Sequence, residues 1–422
     1  MNLLKEIIKL DNYKKYPLQN GMLYIDDNNK KWFKLDSKTA QTFEKFNGKR
    51  FRDFYKDLNP QSRLRRKRIL ALASMLFTEN KETKIENVNK SAFFVITRKC
   101  NLKCIQCYIA NDKVSDEVEL NVDEIENVFK KLKEYNFTSL VISGGEPLLK
   151  DEIEYILKLA NQYFEHVSIN TNATLLTPRL CKLIYEYKIS VMVSLEGMSE
   201  ELNDQIRGKG TKKRILAGIK LLKEHLVKDI TLAMTLTNIN INDNLNLYRY
   251  CLENNIKCYF SVFFESGRGR CNSELLSVDP LVLANNFEKM MAFENKVLDE
   301  LGVIVEEDTI NPLLRGCKSK CGAALSMLNI MPNGDVYPCP NMIEKEHLLG
   351  NIKNSSVEEL MTSEAAKVYQ ARDLYTVQEC SDCEVRLLCG GGCMANSYID
   401  TGSIYTKDPL CLFYKEVFSK AL

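Results

Sequence analysis

The spacing of apolar and polar residues changes character twice along this chain, and each change marks a boundary. Up to about residue 80, two short apolar-rich runs, Met22 to Ile25 and Lys31 to Leu35, flank the turn-forming Asp26-Asp27-Asn28-Asn29 and predict a hairpin. A helix follows, opened by the capping pair Asp36-Ser37 and stopped at Asn47-Gly48. Phe51 to Leu58 and Gln61 to Thr78, parted by Pro60, predict two further helices. Residues 1–80 thus read as a small winged-helix-like α+β domain, and the polar, unpatterned 81–90 as a linker.

From Ser91 onward, strand patterns alternate with helical ones. Phe93 to Thr97, Ser139 to Ser143, Val167 to Asn170, Ser190 to Ser194, Ile230 to Leu236 and Cys258 to Phe264 predict strands. Val122 to Tyr135, Ile153 to Phe164, Arg214 to His225 and Asn244 to Leu252 are amphipathic at helical spacing. Six such repeats place residues 91–310 in the α/β class, with a parallel sheet and right-handed crossovers. Residues 311–422 are cysteine-rich.

The first of these strands runs straight into R-K-C-N-L-K-C-I-Q-C-Y, which carries Cys100, Cys104 and Cys107. A four-iron cluster ordinarily takes four cysteines, so three leave one iron open to a small molecule. A zinc knuckle, or three core thiols that lie close by chance, are the alternatives. Zinc prefers four ligands, however, and the three histidines, His166, His225 and His347, are far along the sequence.

Sites on such sheets gather at the carboxyl ends of the strands. Gly144-Gly145-Glu146-Pro147 follows the second strand, Asn172 the third in I-N-T-N-A, and Ser194 stands in V-S-L-E-G at the fourth. Arg207 comes next, in D-Q-I-R-G-K-G. The sixth strand ends in Glu265-Ser266-Gly267-Arg268-Gly269-Arg270, where Glu265, Arg268 and Arg270 are candidates for substrate or cofactor contact, or for a surface salt-bridge turn.

Cys317, Cys321, Cys339, Cys380, Cys383, Cys389, Cys393 and Cys411 follow. They suffice for two four-iron clusters, although paired cysteines also suit tetrahedral zinc. Cys181, Cys251, Cys258 and Cys271 fit no motif and read as core residues.

Composition narrows the partners. The formal charge of +2, from 58 basic and 56 acidic residues, gives no global field for nucleic acid or an anionic membrane. No apolar run approaches the roughly 20 residues that span a bilayer, and Met1 to Lys15 lacks a signal-peptide core, so a cytoplasmic protein is expected. Fifteen cysteines in that compartment read as metal ligands rather than disulfides.

The three-cysteine loop, followed by the Gly-Gly-Glu-Pro segment one helix and one strand later, resembles the radical S-adenosylmethionine (SAM) superfamily. The resemblance implies a partial (β/α)6 barrel. It also implies that Cys100, Cys104 and Cys107 hold a [4Fe-4S] cluster, whose open iron binds SAM and cleaves it to a 5'-deoxyadenosyl radical. Gly144, Gly145 and Glu146 would lie on the SAM amino group, Asn172 and Ser194 on its ribose and methionine parts, and Arg207 on its carboxylate.

The carboxy-terminal spacing is similar to the SPASM extension of that superfamily. Carried over, the pattern gives one auxiliary cluster to Cys317, Cys321, Cys339 and Cys393 and a second to Cys380, Cys383, Cys389 and Cys411, three [4Fe-4S] clusters in all. The Cys317-x3-Cys321 interval departs from the pattern, which leaves open whether Cys317 closes its cluster.

L-D-S-K-T-A followed by F-N-G-K-R-F resembles the PqqD-like element that binds leader peptides by strand addition, with Arg63, Arg65, Arg66, Lys67 and Arg68 suited to an acidic leader or to a solvated face. The alternative is a cap that only supports the barrel. With the glycine-arginine stretch, the whole looks like a subtilosin-type thioether (sactipeptide) maturase. That likeness implies a ribosomally made precursor peptide as substrate and flavodoxin or ferredoxin as electron donor. Peptide epimerases and carbon-carbon crosslinking enzymes share these features. Anaerobic sulfatase maturases carry an acidic residue after the cysteine of Y-P-C, where this chain has Pro340.

Overall fold

The computed structural model describes residues 5–18, 21–26, 31–58, 72, 76–77, 89–110, 118–300 and 320–421. The expected helix Gln61 to Thr78 (apart from Leu72, Leu76 and Phe77), the basic run Arg63 to Arg68, most of the linker, and Cys317 lie outside them.

The amino-terminal unit is a three-stranded antiparallel sheet in the order β1 (Lys14–Leu18), β2 (Gly21–Asp26), β3 (Lys31–Asp36). The hairpin of β2 and β3 follows from the pattern. Strand β1 does not, because Pro17 can donate nothing to a ladder and is tolerated only on an edge. Asp36 caps the helix Ser37–Glu44 by accepting from the Thr39 N–H at 2.9 Å, and the helix Phe51–Leu58 follows.

Alternation along β2 sends its side chains to two different cores. Tyr24 stacks on Phe33 with ring centroids 4.6 Å apart, among Phe43, Phe51 and Phe54. Leu23 and Ile25, on the other face, pack with Leu374, Val385, Leu387, Leu388 and Phe418 from the carboxy-terminal region. The sheet is therefore seated on the segment that carries Cys383 and Cys389, and Arg386 reaches from there to the Tyr16 hydroxyl at 3.4 Å. Removing residues 1–80 should strip this apolar seam and lower the melting temperature of the remainder. An unchanged melt would show that the seam contributes no stability.

The main sheet has nine strands. Six run parallel in sequence order: β4 (Lys90–Val95), β5 (Phe137–Ser143), β6 (His166–Thr171), β7 (Ser190–Ser194), β8 (Ile230–Leu236) and β9 (Lys257–Val262). This is the expected partial barrel. The helix Val122–Glu134 starts with a capping box in which Asn121 and Glu124 satisfy each other's backbone N–H groups at 2.9 and 3.0 Å. Helices Pro178–Glu186 and Glu200–Arg207 lie in the crossovers and Pro280–Glu300 follows β9; none of the three is among the helical stretches named from the sequence.

The sheet also continues beyond residue 311. Strand β10 (Met327–Ile330) pairs parallel with β4, then β11 (Asp335–Tyr337) and β12 (Gly350–Asn351) follow antiparallel. Strands of two to four residues are too short to carry a period. Their effect is to bring Cys339, just past β11, to the barrel edge beside β4 and its cysteine loop. Among the four cysteines outside any motif, Cys181 and Cys251 are buried as expected, but Cys271 is exposed and is not a core residue. Among the described residues no helix is long and apolar enough to cross a membrane.

Candidate active site

The cysteine loop leaves the carboxyl end of β4 and is held from several neighbouring strands. The Gly145 and Glu146 N–H groups donate to the Thr97 and Lys99 carbonyls, both at 2.8 Å. A Cβ on Gly144 would stand 2.6 Å from the Thr97 oxygen, and one on Gly145 2.3 Å from the Lys99 oxygen. Both glycines are thus required by the close approach of this segment to the loop itself. Ile105 N–H donates to the Ile206 carbonyl at 3.0 Å.

The segment after β9 clamps the loop from the far side. Arg268 Nη1 donates to the Cys104 carbonyl at 3.1 Å, Asn272 Nδ2 to the Ile105 carbonyl at 3.1 Å, and Gly269 N–H to the Cys107 carbonyl at 3.3 Å. Arg270 pairs with Glu344 at 3.2 Å, and Glu265 accepts from the Ser277 hydroxyl at 2.9 Å. The glycine-arginine stretch therefore braces the loop and ties it to the carboxy-terminal region.

Glu146 is fully buried and spends its carboxylate on β6. It accepts from the Thr171 hydroxyl and the Asn172 N–H, both at 2.7 Å, and from the Leu148 N–H at 3.1 Å. Burial raises its pKa above the ordinary glutamate value despite these bonds. Asn172 Nδ2 donates to Asn101 Oδ1 inside the cysteine loop at 2.9 Å. Ser194 is half-buried at the carboxyl end of β7.

Arg207 ends its helix against Glu196, which the sequence reading did not single out. Arg207 Nη2 lies 2.6 Å and Nε 3.1 Å from Glu196 Oε1, while Nη1 faces the Cys104 sulfur at 3.9 Å. Burial works against the Arg207 charge, but Glu196 and Cys104 outweigh it and hold its pKa above the usual arginine value. Gln106, from the cysteine loop, donates to the same Glu196 oxygen at 3.0 Å.

Cys104 and Cys107 act electrostatically on Cys100, and Cys107 on Cys104. Burial pushes Cys100 up to about 11 and raises Cys104 against the pull of Arg207. Bound metal would have to displace their protons.

Behind the barrel the cysteines fall into two sets. Cys339 feels Cys393 and Cys321, and Cys393 feels Cys321. Cys380 feels Cys383 and Cys411, and Cys389 feels Cys380 and Cys411. Among the described residues no three metal-binding side chains converge on one point. Each cysteine of a four-iron cube binds its own iron, so such convergence is not needed there.

Two buried charges that the sequence reading passed over hold these sets in place. Arg372 donates to the Ile404 carbonyl at 2.9 Å and the Gly391 carbonyl at 2.7 Å. Asp408 accepts from the Cys393 N–H at 2.7 Å, and its carbonyl accepts from the Cys411 N–H at 2.9 Å. The residues present suit a polar molecule at the barrel mouth as well as clusters. Gln106 Oε1, beside Cys107, is buried with no hydrogen-bond partner among the described residues and would accept from a ligand donor.

Comparison with known proteins agrees with this geometry. Residues 94–251 match the radical SAM superfamily, and residues 321–384 the SPASM iron-sulfur cluster-binding domain. The antilisterial bacteriocin subtilosin biosynthesis protein AlbA of Bacillus subtilis is 30% identical over 322 residues, 73% of this chain and 68% of that protein. Native anSMEcpe with bound AdoMet shares the fold at a TM-score of 0.66 and 21% identity, over 78% of this chain and 96% of that one. Streptococcus suis SuiB bound to S-adenosylmethionine shares it at 0.62 and 19%, over 96% of this chain and 100% of that one, and has also been solved with its precursor peptide SuiA. The chain belongs to the radical SAM superfamily, as one of its SPASM-bearing enzymes.

Proposed function

We propose that this enzyme modifies a ribosomally made peptide by joining a cysteine sulfur to a carbon of another residue. One observation carries the reading: the small amino-terminal sheet packs directly on the segment bearing Cys383 and Cys389, in a chain that also has the three-cysteine mouth. The identity to the subtilosin biosynthesis protein favours the thioether outcome. In this reading residues 1–80 hold the leader, 91–310 house the radical chemistry, and 311–422 carry the auxiliary cysteines.

Cys100, Cys104 and Cys107 would hold the SAM-binding cluster, and Cys321, Cys339 and Cys393, with Cys317, the first auxiliary one. Cys380, Cys383, Cys389 and Cys411 would hold the second. When bound, cluster and SAM supply a hydrogen-abstracting 5'-deoxyadenosyl radical. The protein's own part is to bind and to orient. Gly144 and Gly145 let the segment lie against the cysteine loop, Glu146 and Asn172 fix the β6 turn, Ser194 lines the strand end, and Arg207, paired with Glu196, sets a hydrogen-bonding nitrogen beside Cys104.

Forming the carbon-sulfur bond removes two hydrogens from the peptide. With SAM and the clusters bound, one would leave as an atom to the deoxyadenosyl radical and one as a proton, and an iron-sulfur cluster would accept the surplus electron. Mass analysis of a cysteine-bearing precursor encoded nearby, incubated with reduced enzyme and SAM, should therefore show the loss of two hydrogens and of one free thiol. Mass unchanged in ordinary water but raised in D2O, with the deuterium on an α-carbon, would replace this reading with epimerisation. Loss of two hydrogens with every thiol still free would point to a carbon-carbon crosslink.

A further inference from the structure

We propose that Glu196 is a positioning residue that fixes the Arg207 guanidinium beside Cys104, and so sets the charge felt by the cluster there. The inference rests on the reading that Cys100, Cys104 and Cys107 hold an iron-sulfur cluster.

Three separate parts of the barrel mouth end on this one carboxylate. Gln106 comes from the cysteine loop at 3.0 Å, Arg207 from the end of the helix Glu200–Arg207 at 2.6 and 3.1 Å, and the Thr235 N–H from β8 at 2.8 Å. The residue's own backbone is pinned as well. Its N–H donates to Asn203 Oδ1 at 3.1 Å, and its carbonyl accepts from Asn240 Nδ2 at 3.1 Å.

Only 1% of the Glu196 side chain and 10% of that of Arg207 is exposed. A carboxylate at that depth needs partners, and a cation together with hydrogen bonds can balance it. Here they do, and the balance has a direction. Because Nε and Nη2 are both committed to Glu196 Oε1, the planar guanidinium cannot rotate without losing them, and Nη1 is left facing the Cys104 sulfur at 3.9 Å.

The potential of an iron-sulfur cluster responds to net charge nearby and to hydrogen bonds at its sulfurs. With Glu196 in place, the Arg207 charge is largely cancelled while its hydrogen-bonding nitrogen remains. An amide at 196 keeps the shape and the acceptor but leaves Arg207 uncompensated, which favours the more negative, reduced cluster. Neutralising Arg207 leaves the buried carboxylate alone and favours the oxidised form. A role confined to holding the fold would not produce displacements of opposite sign.

The test is an EPR-monitored redox titration of reconstituted full-length enzyme without SAM. The relevant cluster is identified beforehand as the signal that SAM perturbs. Glu196→Gln should raise its midpoint and Arg207→Gln lower it, with the signals of the other clusters unmoved. Midpoints that stay at the wild-type value, or move the same way in both variants, overturn the proposal. A wild-type protein with no iron-sulfur signal perturbed by SAM would instead overturn the cluster reading. Should Glu196→Gln fail to load iron, Glu196→Asp retains the charge. An unmoved midpoint there, beside a lowered one in Arg207→Gln, supports the proposal, and a moved one overturns it.

Discussion

Replacing Cys104 with alanine should reduce 5'-deoxyadenosine release from SAM to the level of a protein-free control, while most of the bound iron stays. Three four-iron cubes predict about twelve irons per chain, and this variant should keep about eight. Two cysteines are too few to hold a cube, so one lost thiolate removes the whole centre. The auxiliary sets should persist because their cysteines are held by separate contacts, Arg372 to the Gly391 carbonyl and Asp408 to the Cys393 N–H.

Cys271→Ala is the matched comparison. That thiol is exposed, and its loss should change stability by no more than about 0.5 kcal/mol and leave SAM cleavage intact. Iron analysis and chromatography of the quenched reaction check both. Continued cleavage in Cys104→Ala would remove the three-cysteine loop from the chemistry, and loss of all iron would mean that this loop supports the other sites.

The contrast between these two cysteines illustrates what the sequence makes legible. Strands Ser190–Ser194 and Ile230–Leu236 occur where the pattern puts them, because buried and half-buried positions alternate along each, the period of two that a strand imposes. The three-cysteine loop and the Gly-Gly-Glu-Pro segment are local in sequence, so their spacing survives without knowledge of the fold. Buried charges are different. Glu196 meets Gln106 across 90 residues and Thr235 across 39, and a lone glutamate in V-S-L-E-G shows neither partner. The one available signal is position, since a charged residue just past the carboxyl end of a barrel strand stands where such sites are built.

The seam between the amino-terminal sheet and the Cys383 segment was equally hidden. Leu23 and Ile25 look like ordinary inward residues of a hairpin until a second core claims their face. For β10 to β12 the obstacle is length alone.

Gly392→Ala should dismantle the carboxy-terminal sites through a single methyl group. Gly390, Gly391 and Gly392 all have positive φ, at 70°, 80° and 71°, so the L-C-G-G-G-C turn depends on a backbone that other residues adopt at a cost of about 1–2 kcal/mol each. At Gly392 space adds to strain, because a Cβ would stand 2.3 Å from Asp408 Cβ and 2.8 Å from its Oδ2. Asp408 cannot move freely. Its carboxylate accepts the Cys393 N–H at 2.7 Å and its carbonyl the Cys411 N–H at 2.9 Å, so displacing it disturbs a cysteine of each auxiliary set.

Gly402→Ala separates the two effects. Gly402 has a φ of 75° with nothing within 4 Å of a Cβ, so alanine there carries the strain without the collision. The expected outcome is near-normal iron in Gly402→Ala and a fall toward about four irons per chain in Gly392→Ala. Reductant-driven SAM cleavage should be retained in both, and conversion of the peptide lost only in Gly392→Ala. If the two variants bind equal iron, Asp408 does not hold the auxiliary cysteines in place, and their support has to come from Arg372 and the apolar seam beneath the amino-terminal sheet.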